Sequence, residues 1–325
     1  MVKLKERLYT TRGDSMLTGR LTGLYRHPKQ MLGTQEYDGH LSIHDDEMAD
    51  KLGFAGAPIE GPTHFSQFAP LLEQALGPEV FARGCISAHY QNMVFEGDEV
   101  RAFVEPSDTP GVLRIGAEKK DGTPVLTGTA SLGPDYGQTE LDRRRAKLQP
   151  SEQLVLLSDL TVGQRGAGNP ESARMAFDQH MGALYPFSLA QKLEKITEPH
   201  PWYTVEGAKT SPWERPIIPW EMISVLTQYT SDQAKFRARG PAVGLFAAQE
   251  IKLLKGPLFV DHPYLLEREI LALSESRRTE SNWILTRVFD GEDRSLVAEV
   301  ILNSATLKDS YANYAADAAA LGKAL

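Results

Sequence analysis

The chain has 325 residues, 41% hydrophobic and 24% charged, the balance of a soluble globular protein of about two domains. Its formal net charge of −8 argues against a general attraction to nucleic acid or an anionic membrane, so an anionic ligand would need local positive partners. The single cysteine, Cys85, excludes an intrachain disulfide and a multi-cysteine metal site and suits a reducing cytoplasm.

No segment approaches the roughly 20 apolar residues of a membrane span. The charged start, residues 1–7, has no apolar run behind it, so no signal peptide is expected and the chain should stay cytoplasmic.

Polar, broken sequence runs to Gly61. Residues 62–76 then place Phe65, Phe68, Leu71, Leu72, Ala75 and Leu76 at offsets of three and four, the stripe of a helix with one buried face. Pro62 suits its first turn, Pro70 should bend it, and Gly77-Pro78 ends it. Strands are expected over 86–94, 100–104, 112–117 and 125–132, the last two joined across Asp121-Gly122, a turn that needs positive φ. Cys85, at the start of the first of these, reads as a packed thiol rather than a nucleophile.

The order then repeats. A proline-opened helix is expected over 219–229, and strands over 244–254, 265–273, 283–289 and 295–307, with Asp290-Gly291 in the matching hairpin place. Gly61 to Gly97 spans 36 residues and Pro219 to Gly256 spans 37. The expected division is therefore 1–134, a linker over 135–160 carrying Asp142-Arg143-Arg144-Arg145, a second unit over 161–310, and a peripheral helical tail over 311–325. One long helix can cover one face of an antiparallel sheet, and two sheets joined edge to edge hide their open edges.

The stretch Leu41-Ser42-Ile43-His44-Asp45-Asp46 through Gly53-Phe54-Ala55-Gly56-Ala57-Pro58-Ile59-Glu60-Gly61 resembles the MaoC-like, (R)-specific enoyl-CoA hydratase and dehydratase family. Val94-Phe95-Glu96-Gly97-Asp98 looks like that family's Pro-Val-x-x-Gly-Asp turn. The resemblance covers residues 15–134 in motif terms, and the second half matches only in element order. It implies an α+β double hotdog fold, in which two antiparallel sheets each wrap a central helix. It also implies a hydro-lyase acting on an acyl-CoA or similar acyl-thioester. The family's Asp and His, five residues apart, hold the water and pass protons, while amides at the start of the central helix polarise the thioester carbonyl.

Carried onto this chain, the resemblance makes His44 the catalytic histidine and marks the helix entrance by Gly61 and its neighbours, with Gly56, Ile59 and Gly61 as substrate-binding candidates. His64, in the first turn of the helix, is a further substrate-binding candidate, a structural or solvent role being its other reading. The family's Asp position is occupied by Gly39, with Asp38 one residue away, its Asn-Pro pair is missing, and Glu60 replaces the usual His before the helix glycine. Three readings stay open: a shifted loop that delivers Asp38 beside His44, a His40/His44 pair four residues apart, or a site that has kept only thioester binding. Asp45 and Asp46 read as the start or cap of a short helix through Leu52. His89 reads as a strand histidine, and His180 has an acidic neighbour but no motif. Trp202, Trp213 and Trp220 form either core or an aromatic wall for a bulky acyl group.

No His/Asp/Glu cluster has metal spacing, and neither a Gly-rich phosphate loop nor a Gly-x-Ser-x-Gly elbow appears, so no metal or cofactor is expected. A hotdog thioesterase using Glu60 or Glu73 is the rival enzyme, and a noncatalytic thioester-binding subunit the rival outside catalysis. The oligomeric state stays open, pairing into a homo-oligomer being common among hotdog units.

Overall fold

The computed structural model describes residues 17–37, 40–149, 151 and 153–323. In the first half, β1 (Leu21–Thr22) is followed by a small ribbon of β2 (Glu36–Tyr37) and β3 (His40–Leu41), then a short helix over Asp46–Lys51. The helical segment 61–76 comes next, then β4 (Gly84–Tyr90), β5 (Val100–Pro106), β6 (Val112–Lys119) and β7 (Pro124–Leu132). The second half has β8 (Glu171–Ala173), a helix over Trp220–Gln228, then β9 (Gly244–Leu253), β10 (Tyr264–Glu275), β11 (Thr279–Asp290) and β12 (Leu296–Leu307).

All but the ribbon belong to one ten-stranded sheet in the order β1-β5-β6-β7-β4-β9-β12-β11-β10-β8. The two half-sheets meet where β4 pairs antiparallel with β9, from Cys85 opposite Lys252 to His89 opposite Ala248. That junction replaces two open strand edges with a continuous ladder. Both central helices lie in the same apolar cluster: Phe65, Phe68 and Leu72 from the first, Met222, Ile223 and Leu226 from the second.

Three local expectations differ from the structure. The first helix is 3-10 over Gly61–Phe68 and becomes α only over Ala69–Leu76. Pro70 has no N–H to give the Ser66 carbonyl, which accepts from Ala69 N instead, a three-residue closure that keeps the first half tight. The first strand ends at Tyr90 rather than continuing to 94, and Val94 O instead accepts from Ile59 N at 2.7 Å. The two hairpin glycines also differ. Gly122 sits at φ 87°, as the turn demands, whereas the left-handed residue of the second hairpin is Arg294 at φ 61°. Gly291 is needed for space: a Cβ there would lie 2.7 Å from Pro263 O.

The back of the sheet is also covered. The helix Glu140–Arg145 is closed by a Thr139/Asp142 capping box and buries Leu141 against Ala248, Trp283, Leu285 and Ile301. On the face that the central helices cover, the tail forms a helix over Tyr314–Ala320, whose Tyr314 and Ala318 pack with Leu154, Leu156, Leu157 and Ile270. No helix among the described residues is long and apolar enough to cross a membrane.

Candidate functional site

A cavity of about 630 Å³ opens between the two halves, beside the start of the 61–76 helix. Its walls include His44, Ile59, Glu60, Gly61, His64 and Tyr90 from the first half and Tyr185, Gln228, Asn282 and Ser304 from the second.

The loop carrying His44 is clamped from both sides. Asp45 caps the 46–51 helix by accepting from Met48 N at 3.0 Å, and Asp46 Oδ1 accepts from Ala57 N at 3.0 Å. His44 N donates to Ser42 Oγ at 3.1 Å. The His44 ring then reaches the segment before the helix, with Nδ1 2.6 Å from Pro58 O. A carbonyl only accepts, so Nδ1 carries the proton and Nε2 keeps its lone pair. Burial pulls the His44 pKa below its ordinary value, against the lifting effect of the Pro58 bond, which favours the neutral ring that a base must be.

The helix entrance is shaped by Gly61. A Cβ at that position would sit 2.7 Å from the Tyr90 ring, so only glycine lets the aromatic ring lie against the turn. Pro62 brings no N–H, and Thr63 N is taken by Glu60 O at 3.1 Å, which leaves the Gly61 N–H as the donor of this turn without an acceptor among the described residues.

Glu60 is the unusual group. It is 8% exposed, and burial raises its pKa to about 7, against the moderating pull of Lys192 and of Tyr185, whose Oη donates to Oε1 at 3.3 Å. Lys192 is itself buried, 3.1 Å from Glu221 and 3.3 Å from Thr63 Oγ1. Burial lowers the His64 pKa to about 4, so this imidazole is neutral near pH 7, and its Nδ1 has no partner among the described residues.

Of the residues singled out from sequence, His44, Ile59, Gly61 and His64 all line the cavity. Gly56 does not: its place is beside Phe95 and Asp46. Asp38 and the side chain of His40 lie outside the described residues. The tryptophans do not form a ligand wall. Trp202 and Trp213 pack edge to face at 5.5 Å against the main core, Trp220 is buried within it, and none lines the cavity. Glu73 pairs with His200 at 3.4 Å, and Cys85 is buried with its thiol pKa pushed up by burial. His180 is exposed and accepts from Gly182 N at 3.2 Å.

Sequence reasoning missed Tyr185 and Lys192, which the second half sends to Glu60. The only local signal nearby is the Ser188/Gln191 capping box that starts the helix carrying Lys192, and it says nothing of where that helix docks. Among the described residues no group of three or more His, Cys, Asp or Glu is placed to hold a metal ion.

No family model matches the sequence, and no curated protein matches it. Comparison with solved structures finds a protein of Chloroflexus aurantiacus described as a MaoC domain dehydratase, with a TM-score of 0.57 and 13% identity, over 88% of this chain and 94% of that one. A Mycobacterium tuberculosis protein described as having a double hotdog fold aligns with a TM-score of 0.52 and 10% identity, over 83% of this chain and 89% of that one. The fold is a double hotdog. At such identities the likeness establishes the fold alone, so the chemistry of this double hotdog has to be argued from its own side chains. Its chemical groups gather at one helix entrance, that of the first hotdog.

Proposed function

We propose that the protein adds water to, or removes it from, the α,β bond of an acyl-CoA-like thioester. The observation that carries this reading is the convergence of a neutral, Nε2-available His44 and a half-protonated Glu60 on one cavity at a helix entrance with an unused N–H. In the hydration direction His44 Nε2 takes a proton from water as its oxygen bonds to Cβ. Glu60 delivers a proton to Cα, and the Gly61 N–H accommodates the negative charge that builds on the thioester oxygen between these steps. Elimination runs the same transfers in reverse. A neutral imidazole as base and a carboxyl that keeps its proton to about pH 7 as acid are what acid–base work at neutral pH asks for. Asp38 and His40 belong to the same proposal as further partners of His44 in holding the water.

The test is turnover of crotonyl-CoA and longer enoyl-CoAs, followed by loss of enoyl-thioester absorbance. His44→Ala is expected to lower kcat by roughly 10²–10⁴, the usual contribution of one acid–base group. Unchanged turnover in that variant would remove His44 from the mechanism. A second reading, a thioesterase with Glu60 as base or nucleophile, draws on the placement of that carboxylate at the helix entrance. Release of free CoA thiol would decide for it. Saturable binding without either product would point to a noncatalytic thioester-binding protein.

A further inference from the structure

We infer that the second hotdog builds a subsite for a neutral hydrogen-bonding group, a hydroxyl or carbonyl, at the distal end of the acyl chain. This rests on the thioester reading and names the class of acyl group it would take.

The inner face of the second half-sheet is where the cavity departs from an alkyl tunnel. Asn282 on β11 and Ser304 on β12 are direct cross-strand partners, and both line the cavity. Next to them on the same two strands, Ile284 and Leu302 form the apolar pair expected of such a wall. Asn282 is 5% exposed, and neither its amide nor the Ser304 hydroxyl makes a side-chain hydrogen bond among the described residues. Gln228, at the end of the second central helix, also lines the cavity, is 6% exposed, and has a buried Nε2 with no partner among the described residues. A cross-strand pair of polar side chains turned to the cavity without a protein partner, and a buried amide nitrogen in the same wall, are a demand for ligand polarity, since buried polar groups are otherwise paired.

The charge around them selects a neutral group. Arg268 lies in the same wall, but all five of its N–H donors are engaged by Glu171, Thr227 O, Thr230 and Thr286. Lys235 and Arg237 at the rim both bind Asp232, 3.2 Å and 3.0 Å away. The last turn of the 220–228 helix, with the negative end of its dipole, is directed to this side.

The experiment is calorimetric binding of saturated acyl-CoAs with four to eight carbons. Each ω-hydroxyacyl-CoA is matched to the alkyl acyl-CoA with the same number of heavy atoms, and to an ω-carboxyacyl-CoA. At the length that reaches the subsite, the hydroxyl compound is expected to bind about tenfold or more tightly than its alkyl match, the scale of one hydrogen-bonded group in a closed site. Asn282→Leu and Ser304→Ala are each expected to erase most of that preference. Equal or tighter binding of the alkyl compound at every length overturns the inference, and so does tightest binding of the carboxylate. It is also overturned if the two variants weaken all acyl-CoAs equally while leaving N-acetylcysteamine thioesters unaffected, because the groups would then read the carrier arm. A hydroxyl preference without turnover of any enoyl-CoA keeps the subsite and removes only the hydro-lyase. Absence of any thioester binding removes both.

Discussion

The two ionisable groups at the helix entrance are both displaced from their ordinary pKa values by burial, and the displacements oppose each other in stability. Glu60 moves from 4.5 up to about 7. Its folded pKa is the higher one, so its contribution is fully present below pH 4.5 and is lost as pH rises through about 7. Each pH unit across that window lowers stability by about 1.4 kcal/mol, about 3 kcal/mol in all. His64 moves from 6.5 down to about 4. Its contribution is present above pH 6.5 and is lost as pH falls through about 4, a slope of similar size and opposite sign. Between pH 4.5 and 6.5 the two cancel. Glu60→Gln should break the cancellation. The unfolding free energy of the wild type minus that of the variant, measured by urea titration at half-unit steps, is expected to fall by about 3 kcal/mol from pH 4.5 to 7 and to be level outside that range. His64→Gln should give the mirror-image difference. Taking differences cancels the rest of the chain's titration. A level difference across pH 4.5–7 for Glu60→Gln would show that the carboxyl ionises in the fold as it does in water, and would leave the site without its proton donor near neutrality.

Other outcomes follow from single contacts. Arg268→Met strands the buried Glu171 carboxylate and is expected to cost about 3–5 kcal/mol by chemical denaturation, with Arg268→Met/Glu171→Leu recovering most of it. Gly128→Ala would place a methyl 2.1 Å from the backbone oxygen of Ser87 on β4, so it is expected to destabilise by about 1–3 kcal/mol or more, read as a lower urea midpoint. Asp45→Ala removes the cap of the 46–51 helix and should cost about 1 kcal/mol, while raising KM for an enoyl-CoA through the loosened His44 loop. Tyr185→Phe removes the donor that lowers the Glu60 pKa, so the Glu60 limb of the pH–rate profile should move to higher pH.

Much of this architecture can be read from local chemistry. Alternating apolar residues bounded by turn signals mark the strands to within a few residues, and Asp121-Gly122 places its hairpin because the required positive φ is a property of the turn itself. Asp45 announces a helix cap for the same reason. The repeat is legible because it is a repetition of such local signals. What is hidden depends on contacts between distant residues. Gly291 looks equivalent to Gly122 in sequence, yet it answers to the nearby Pro263 carbonyl. Glu60 reads as a substitution for a family histidine, and its raised pKa arises only when the fold buries it, a rise tempered by Tyr185 and Lys192, more than 120 positions away. The polar pair Asn282 and Ser304 becomes a pair only through the β11–β12 register.

The duplication also bears on how the cavity is shared between two similar units. In the first hotdog the helix starts with Gly61, and the missing side chain leaves room for the Tyr90 ring and the space beside it. In the second the helix starts with Trp220, 2% exposed, whose indole reaches to 3.0 Å from where a Cβ on Gly84 would stand. That indole is packed into the main core, and no residue of the helix before Gln228 lines the cavity. The second helix therefore presents its far end to the ligand space while the first presents its start. Dipole polarity then runs from a positive end beside Gly61 to a negative end beside Gln228. A thioester oxygen gathering negative charge is favoured at one end, and a neutral acyl terminus at the other. Apart from Tyr185 and Lys192, which act on Glu60, the second unit can change its wall residues on β11 and β12 without touching His44 or Glu60. Acyl-group selection should therefore map to β11 and β12, and bond chemistry to residues 44–64.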